Sequence, residues 1–98
     1  MIPRIKNIKT LDNYVLSVTF DDGYHVLCDV KEDINAIPQF KGLMEYGVFQ
    51  QARLDTSRTC VYWNDKIDLA SDTIREYGKP DAAYNTDDTT GMVAEDIA

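Results

Sequence analysis

Basic residues are scarce in this chain: ten Lys and Arg stand against seventeen Asp and Glu, a formal net charge of −7 over 98 residues. A nucleic-acid surface needs a cationic footprint that displaces counterions from phosphates, so direct binding to DNA or RNA ranks last among the readings. Long apolar runs are also missing, and no stretch approaches the length of a membrane-crossing helix. Met1-Ile2-Pro3-Arg4-Ile5-Lys6 is not followed by the apolar segment of a secretion signal, so a cytoplasmic location without membrane contact is expected. Cysteine is limited to Cys28 and Cys60, which are far apart and lack C-x-x-C or Cys/His ligand spacing. Both are read as free thiols filling small apolar positions, with no metal and no cofactor implied. The five glycines are scattered singly, which removes a phosphate-cradling loop.

What remains is ordinary globular composition, 44% hydrophobic and 28% charged, in a length suited to one domain with one modest core. Val15-Leu16-Ser17-Val18-Thr19-Phe20 and Tyr24-His25-Val26-Leu27-Cys28-Asp29-Val30 alternate as strands do, around Asp21-Asp22-Gly23. A three-residue loop sets Phe20 opposite Tyr24, Val18 opposite Val26, Leu16 opposite Cys28 and Tyr14 opposite Val30, and gives Gly23 the left-handed position. One face is then apolar, while Val15, Ser17, Thr19, His25, Leu27 and Asp29 share a mixed one. Arg4–Lys9 forms a first strand, joined through a turn at Leu11-Asp12-Asn13, with Arg4, Lys6 and Lys9 read as a solvated basic edge.

Beyond Lys31 the pattern turns to short helices or turns, ended by Pro38 and interrupted at Gly42 and Gly47, that bring Ile34, Phe40, Leu43 and Phe49 over the sheet. Met44 is read as packing. A second hairpin runs from Ala52–Asp55 through Thr56-Ser57-Arg58 to Thr59–Trp63, with Leu54, Val61 and Trp63 inward. Thr73–Tyr77 is helical and stops at Gly78, before Pro80. The fold expected is α+β, an antiparallel meander plus a short hairpin packed by short helices, in a single domain over residues 1–78. Residues 79–98, acidic and without a buriable pattern, are expected to be a disordered tail.

Two clusters invite a catalytic reading. Asp65, Asp68 and Asp72 follow Trp63 in "WNDKIDLASD", but Lys66 falls where a calcium loop would still collect oxygens. The reading adopted is a turn at Asn64-Asp65 and a helix capped by Asp68 or Ser71, with Asp72 in its first turn. His25, with Asp29 on its side and Ser17 and Thr19 on the next strand, suits a hydrolytic triad only in outline, since no nucleophile elbow accompanies it. A surface histidine is expected instead. An aromatic surplus points elsewhere: Tyr24, Tyr46, Tyr62, Trp63 and Tyr77 exceed what a small core absorbs, and tyrosine and tryptophan favour surfaces that become buried against other proteins, so Tyr24, His25, Tyr46, Tyr62 and Tyr77 are the candidate partner-binding residues.

The blocks "LDNYVLSVTFDDG", "VLCDV" and "VYWNDKIDLASDTI" resemble the small bacterial family known as domain of unknown function 2442. Leu11, Tyr14, Leu16, Phe20, Asp22 and Gly23 match its first motif, Phe40 and Leu43 its middle, and Trp63, Asp68, Leu69 and Ile74 its last. Lys66 stands where that pattern has glycine, and Ser71 where it has proline, a change expected to shift the helix cap by one residue. The resemblance covers residues 4–77 and implies a compact α+β domain without known catalytic residues. It also implies gene pairs of toxin–antitoxin type and, in some members, a fused helix-turn-helix domain, for which too few residues follow Gly78 here.

The expectation is therefore a non-enzymatic protein-interaction or regulatory module, antitoxin-like, whose partner is another protein such as a small toxin. A homodimer through Val15 and Leu27 is a further expectation. The rival is a small hydrolase or metal-dependent enzyme built on His25 and Asp29 or on Asp65, Asp68 and Asp72.

Overall fold

A computed structural model describes residues 2–81. Its first sheet opens with the meander β1 (Ile5–Leu11), β2 (Val15–Phe20) and β3 (His25–Asp29), all antiparallel. Leu16 pairs with Cys28 and Val18 with Val26, the register of the three-residue loop. Gly23 at φ +90° lets its N–H reach Phe20 O at 2.9 Å, a geometry side chains disfavour. Leu16, Val18, Phe20 and Val26 are buried on the face that alternation assigns to the core.

Two strand boundaries differ from expectation. β1 runs through Leu11, so the turn to β2 is Asp12–Tyr14, with Asn13 at φ 62° and Tyr14 at φ 61°. Val30 does not extend β3 opposite Tyr14 but starts α1 (Val30–Ala36). Asp29 decides this, because its Oδ1 accepts the Lys31 N–H at 3.2 Å and caps the helix. Val30 remains fully buried from its new position.

Two 3-10 stretches follow, Pro38–Met44 and Phe49–Gln51. With three residues per turn, Phe40 and Leu43 stack on one side and both are buried, as are Ile34 and Phe49. Met44 falls off that stripe and is 58% exposed, so it does not pack in the core as the sequence reading had it.

The second sheet contains β4 (Arg53–Leu54), β5 (Cys60–Asn64) and β6 (Ile67–Ala70) in that order. Arg53 pairs with Tyr62 and Leu54 with Val61, as the expected hairpin requires. The stretch after Trp63 holds the expected turn at Asn64-Asp65 and the expected helix, with an unexpected strand, β6, between them. Asn64 Oδ1 accepts from the N–H groups of Lys66 (2.8 Å) and Ile67 (3.1 Å), closing a turn that returns the chain along β5. Ile67 and Leu69 are buried while Asp68 and Ala70 are exposed, an alternation of a strand.

α2 (Ser71–Tyr77) begins after Ala70 and has no side-chain cap, so neither Asp68 nor Ser71 plays that part. Ser71 is the first helical residue and is fully buried. Its Oγ donates to Pro3 O at 2.6 Å and its N–H to Thr59 O at 2.9 Å, tying the N-terminus and the second hairpin to the helix. Asp72 lies in the first turn, as expected.

β7 (Lys79–Pro80), from residues the composition groups with the acidic tail, pairs with β3 and completes the order β1-β2-β3-β7. Asp81 is placed beside His25, and residues 82–98 of that tail, with their expected disorder, lie outside the described residues. Both sheets and the helices share one apolar core, an α+β fold with two antiparallel sheets. The sheets are fastened at the tip of the β2–β3 hairpin. Arg58 donates to both Asp21 oxygens (2.6 and 3.0 Å) and to Ile5 O (3.0 Å), while Arg75 of α2 grips Asp22 at 2.8 and 3.2 Å. The Arg75 guanidinium also lies 4.4 Å from the Tyr24 ring centre and 4.9 Å from that of Phe20.

Candidate functional site

His25 stands on the face of β3 turned from the core, and its ring is held from both nitrogens. Ser17 Oγ is 2.8 Å from Nε2 and Thr19 Oγ1 is 2.7 Å from Nδ1. The cause is register: Thr19 pairs directly with His25, and Ser17 lies diagonally across β2. β7 then brings Asp81 alongside, with its N–H on His25 O (3.1 Å) and its Oδ2 3.7 Å from Nε2. His25 is consequently buried at 9% exposure, not the surface histidine expected. Asp29 does not join it, being engaged at the start of α1.

As chemistry, a serine hydroxyl on Nε2 with a second hydroxyl on Nδ1 has the outline of an activated nucleophile. Position argues against that use. β2 is a central strand paired through residues 17 and 19 on both sides, so its backbone N–H groups are spent on the ladder rather than on an oxyanion. The arrangement reads as a polar clasp between β2, β3 and β7.

The aspartates after Trp63 sit on three different elements. Asp65 is in the turn, Asp68 faces Tyr62 on β6, and Asp72 takes the Thr73 N–H (2.8 Å) in α2. Among the described residues, no group of three or more His, Cys, Asp or Glu is placed to hold a metal. Cys28 and Cys60 are free thiols, and burial pushes the Cys28 thiol up to about 11, with Asp33, Asp29 and Glu32 adding to the shift. A thiol so disposed stays protonated and is a poor nucleophile.

A surface of a different kind lies between the β1–β2 turn and the segment before Phe49. It is a groove of about 580 Å³ with residues 11–14 on one wall, 43–47 on the other and Phe49 among its lining. Among the described residues, three of the six exposed large apolar side chains line it, namely Leu11 (37% exposed), Met44 (58%) and Tyr46 (104%).

Left-handed backbone occurs on both walls, at a cost on only one of them. Asn13 and Tyr14 are consecutive left-handed residues, a costly conformation for tyrosine, and Gly47 opposite is at φ +79°. Packing holds the strained turn. The Tyr14 ring meets Phe49 edge-on at 5.3 Å, Phe49 stacks with Trp63 at 6.0 Å, and the Trp63 Nε1–H donates to Phe49 O at 2.9 Å. Trp63 is thereby 5% exposed, a core residue and no part of the aromatic surplus.

Of the five residues proposed from sequence for partner binding, only Tyr46 lines the groove. Tyr24 is half-buried under Arg75, His25 is in its clasp, Tyr62 faces Arg53 and Asp68 in the second sheet, and Tyr77 is 76% exposed at the end of α2. Leu11, Asp12, Asn13, Met44 and Glu45 were missed as site residues. The turn-forming pair Asp12-Asn13 and the isolated Gly47 were visible, but their meeting across a groove is a tertiary fact.

No helix among the described residues is long and apolar enough to cross a membrane. The model of a family described as "Protein of unknown function (DUF2442)" matches residues 5–80. No curated protein and no solved structure matches the chain.

Proposed function

The chain belongs to the DUF2442 family, whose function is unknown, and from that premise we propose that it is a non-enzymatic protein-interaction module that engages a partner protein through the groove beside Tyr46. The observation that carries this reading is the gathering of Leu11, Met44 and Tyr46, all exposed, around a groove with one wall, at Asn13 and Tyr14, held in a strained left-handed turn. Exposed methionine and tyrosine on a rigid support are what interfaces draw upon, since they supply contact area with little to lose in ordering. Backbone strain that persists only because Tyr14 is braced by Phe49 fits a surface kept for use. The module acts as the regulatory, antitoxin-like half of a protein pair, its partner a small toxin-like protein, and it works in the cytoplasm.

Affinity capture from native lysate tests the reading, comparing the unaltered chain with the Tyr46→Ser/Met44→Ser variant. Both side chains are exposed, so the variant keeps its fold. A stoichiometric partner held by the unaltered chain and lost by the variant is the expected result. Recovery of the same partner with both would place the contact elsewhere and overturn the groove as the site.

A further inference from the structure

Charge on the groove is one-sided. The charged residues lining it are Asp12 on one wall and Glu45 on the other, with no Lys or Arg among the lining. The rims are acidic, and between them Leu11, Met44 and the fully exposed ring of Tyr46 lie beside the uncharged Asn13 and Gln50. Resting on the reading of this groove as a protein-binding surface, we propose that its occupant is a basic, amphipathic segment of a partner protein, whose apolar side chains cover Leu11 and Met44 while its Lys or Arg side chains pair with Asp12 and Glu45.

Physical chemistry separates this occupant from its rivals. An acidic segment would bring like charges against both rims, which costs affinity and slows encounter. A second copy meeting groove to groove would set Asp12 and Glu45 against their own images, between molecules that each carry −7. A basic segment is drawn by the net charge, pairs at both rims, and finds in Tyr46 a π face for a guanidinium or ammonium. Its apolar side chains exclude water from the floor, where desolvated contacts carry most of the binding energy.

The test uses the full chain, isotopically labelled, titrated with three synthetic helix-forming peptides of equal length that combine Leu with Lys, Leu with Glu, or Ser with Lys. Amide and methionine-methyl shifts report where each binds. The Leu/Lys peptide is expected to bind saturably, with the largest shifts at residues 11–14 and 43–50. Neutralising the rims with Asp12→Asn and Glu45→Gln should weaken it about three- to tenfold, the range of two exposed ion pairs. Tyr46→Ala should weaken it about tenfold or more, as loss of an aromatic anchor does.

Equal binding of the Leu/Glu peptide in the groove would overturn the basic occupant while leaving the groove a protein-binding surface. Equal binding of the Ser/Lys peptide, or shifts centred on Glu32 and Asp33 of α1, would show unspecific attraction to acid and overturn the proposal. Concentration-dependent self-association through the groove would assign it to a second copy. No groove shifts with any peptide would overturn both the occupant and the surface.

Discussion

At the scale of single residues, Gly78 is needed for space rather than for a left-handed turn. Its φ is −70°, yet a Cβ there would come 2.6 Å from Ile74 O and 3.1 Å from Val26 Cγ2. The backbone oxygen cannot retreat without loosening the Gly78 N–H bond to Ile74 O that ends α2. Gly78→Ala is therefore expected to cost about 1–3 kcal/mol, as overpacked core positions do, read as a lowered urea midpoint with unchanged slope. An unchanged midpoint would show that α2 sits less tightly on β3 than the distances state.

Cys28 gives a second residue-scale expectation. Burial and the nearby Asp33, Asp29 and Glu32 raise its thiol from 9.0 to about 11. The native state thus favours the neutral thiol, and its contribution to stability is complete below pH 9.0 and lost as pH rises towards about 11. Alkylation at mildly alkaline pH should label Cys28 slowly in the native chain and quickly in urea. Equal rates would mean the thiol is not shielded.

At the scale of elements, the hairpin tip is the fastening between the sheets. Hydrogen bonding from Arg58 holds the Asp21 carboxyl below the usual carboxylate range, and hydrogen bonding from Arg75, aided by the Tyr24 N–H, does the same for Asp22. Folded-state values below the ordinary 3.8 mean the ionised forms stabilise the fold above that pH and lose this contribution as pH falls through the lowered values. Asp22→Asn should flatten the acid side of the stability–pH curve, measured by denaturant midpoints. An identical acid side in the variant would show that the Asp22–Arg75 pair contributes nothing in solution.

Ser71 stands where the resemblance drawn from sequence implies proline. It occupies the first helical position, which proline suits, so the cap is not shifted by a residue as expected. Here, however, its N–H and Oγ both donate, to Thr59 O and Pro3 O. Ser71→Pro removes both bonds and should destabilise the chain by about 1–3 kcal/mol in chemical unfolding despite the favourable position. A neutral or stabilising outcome would show that these two bonds are not needed.

The same element shows what could be read from sequence alone. The first hairpin was legible to the register, because Asp21-Asp22-Gly23 and the alternation of Val18, Phe20 and Val26 point the same way. Beyond Trp63 the local signals conflicted: Asp and Ser suggest helix caps, while Ile67 and Leu69 alternate with polar neighbours as a strand does. Pairing with β5 decided for the strand, and a short window cannot see a partner. Of the candidate site, Tyr46 was legible as an aromatic with no core to fill. Met44 was not, since the 3-10 turn that turns it outward is set by packing of Phe40 and Leu43.

At the scale of the whole molecule, the two sheets and their helices close one core, and the aromatic series Tyr14, Phe49 and Trp63 carries that core out to the groove. The strained turn and the exposed rim are thus one construction, rigid behind and open in front. β7 matters for any truncation: removal from residue 79 would take away strand pairing with β3 and the Asp81 contacts of His25, whereas removal from residue 82 leaves them intact.

The most direct measurement places a photo-crosslinking phenylalanine analogue at position 46 in cells that express the chain, with position 77 as an equally aromatic, exposed control. The groove account predicts one discrete heavier adduct from position 46, identified by mass spectrometry as a single partner protein, and none from position 77. Adducts of the same kind from both positions, or from position 77 alone, would contradict it.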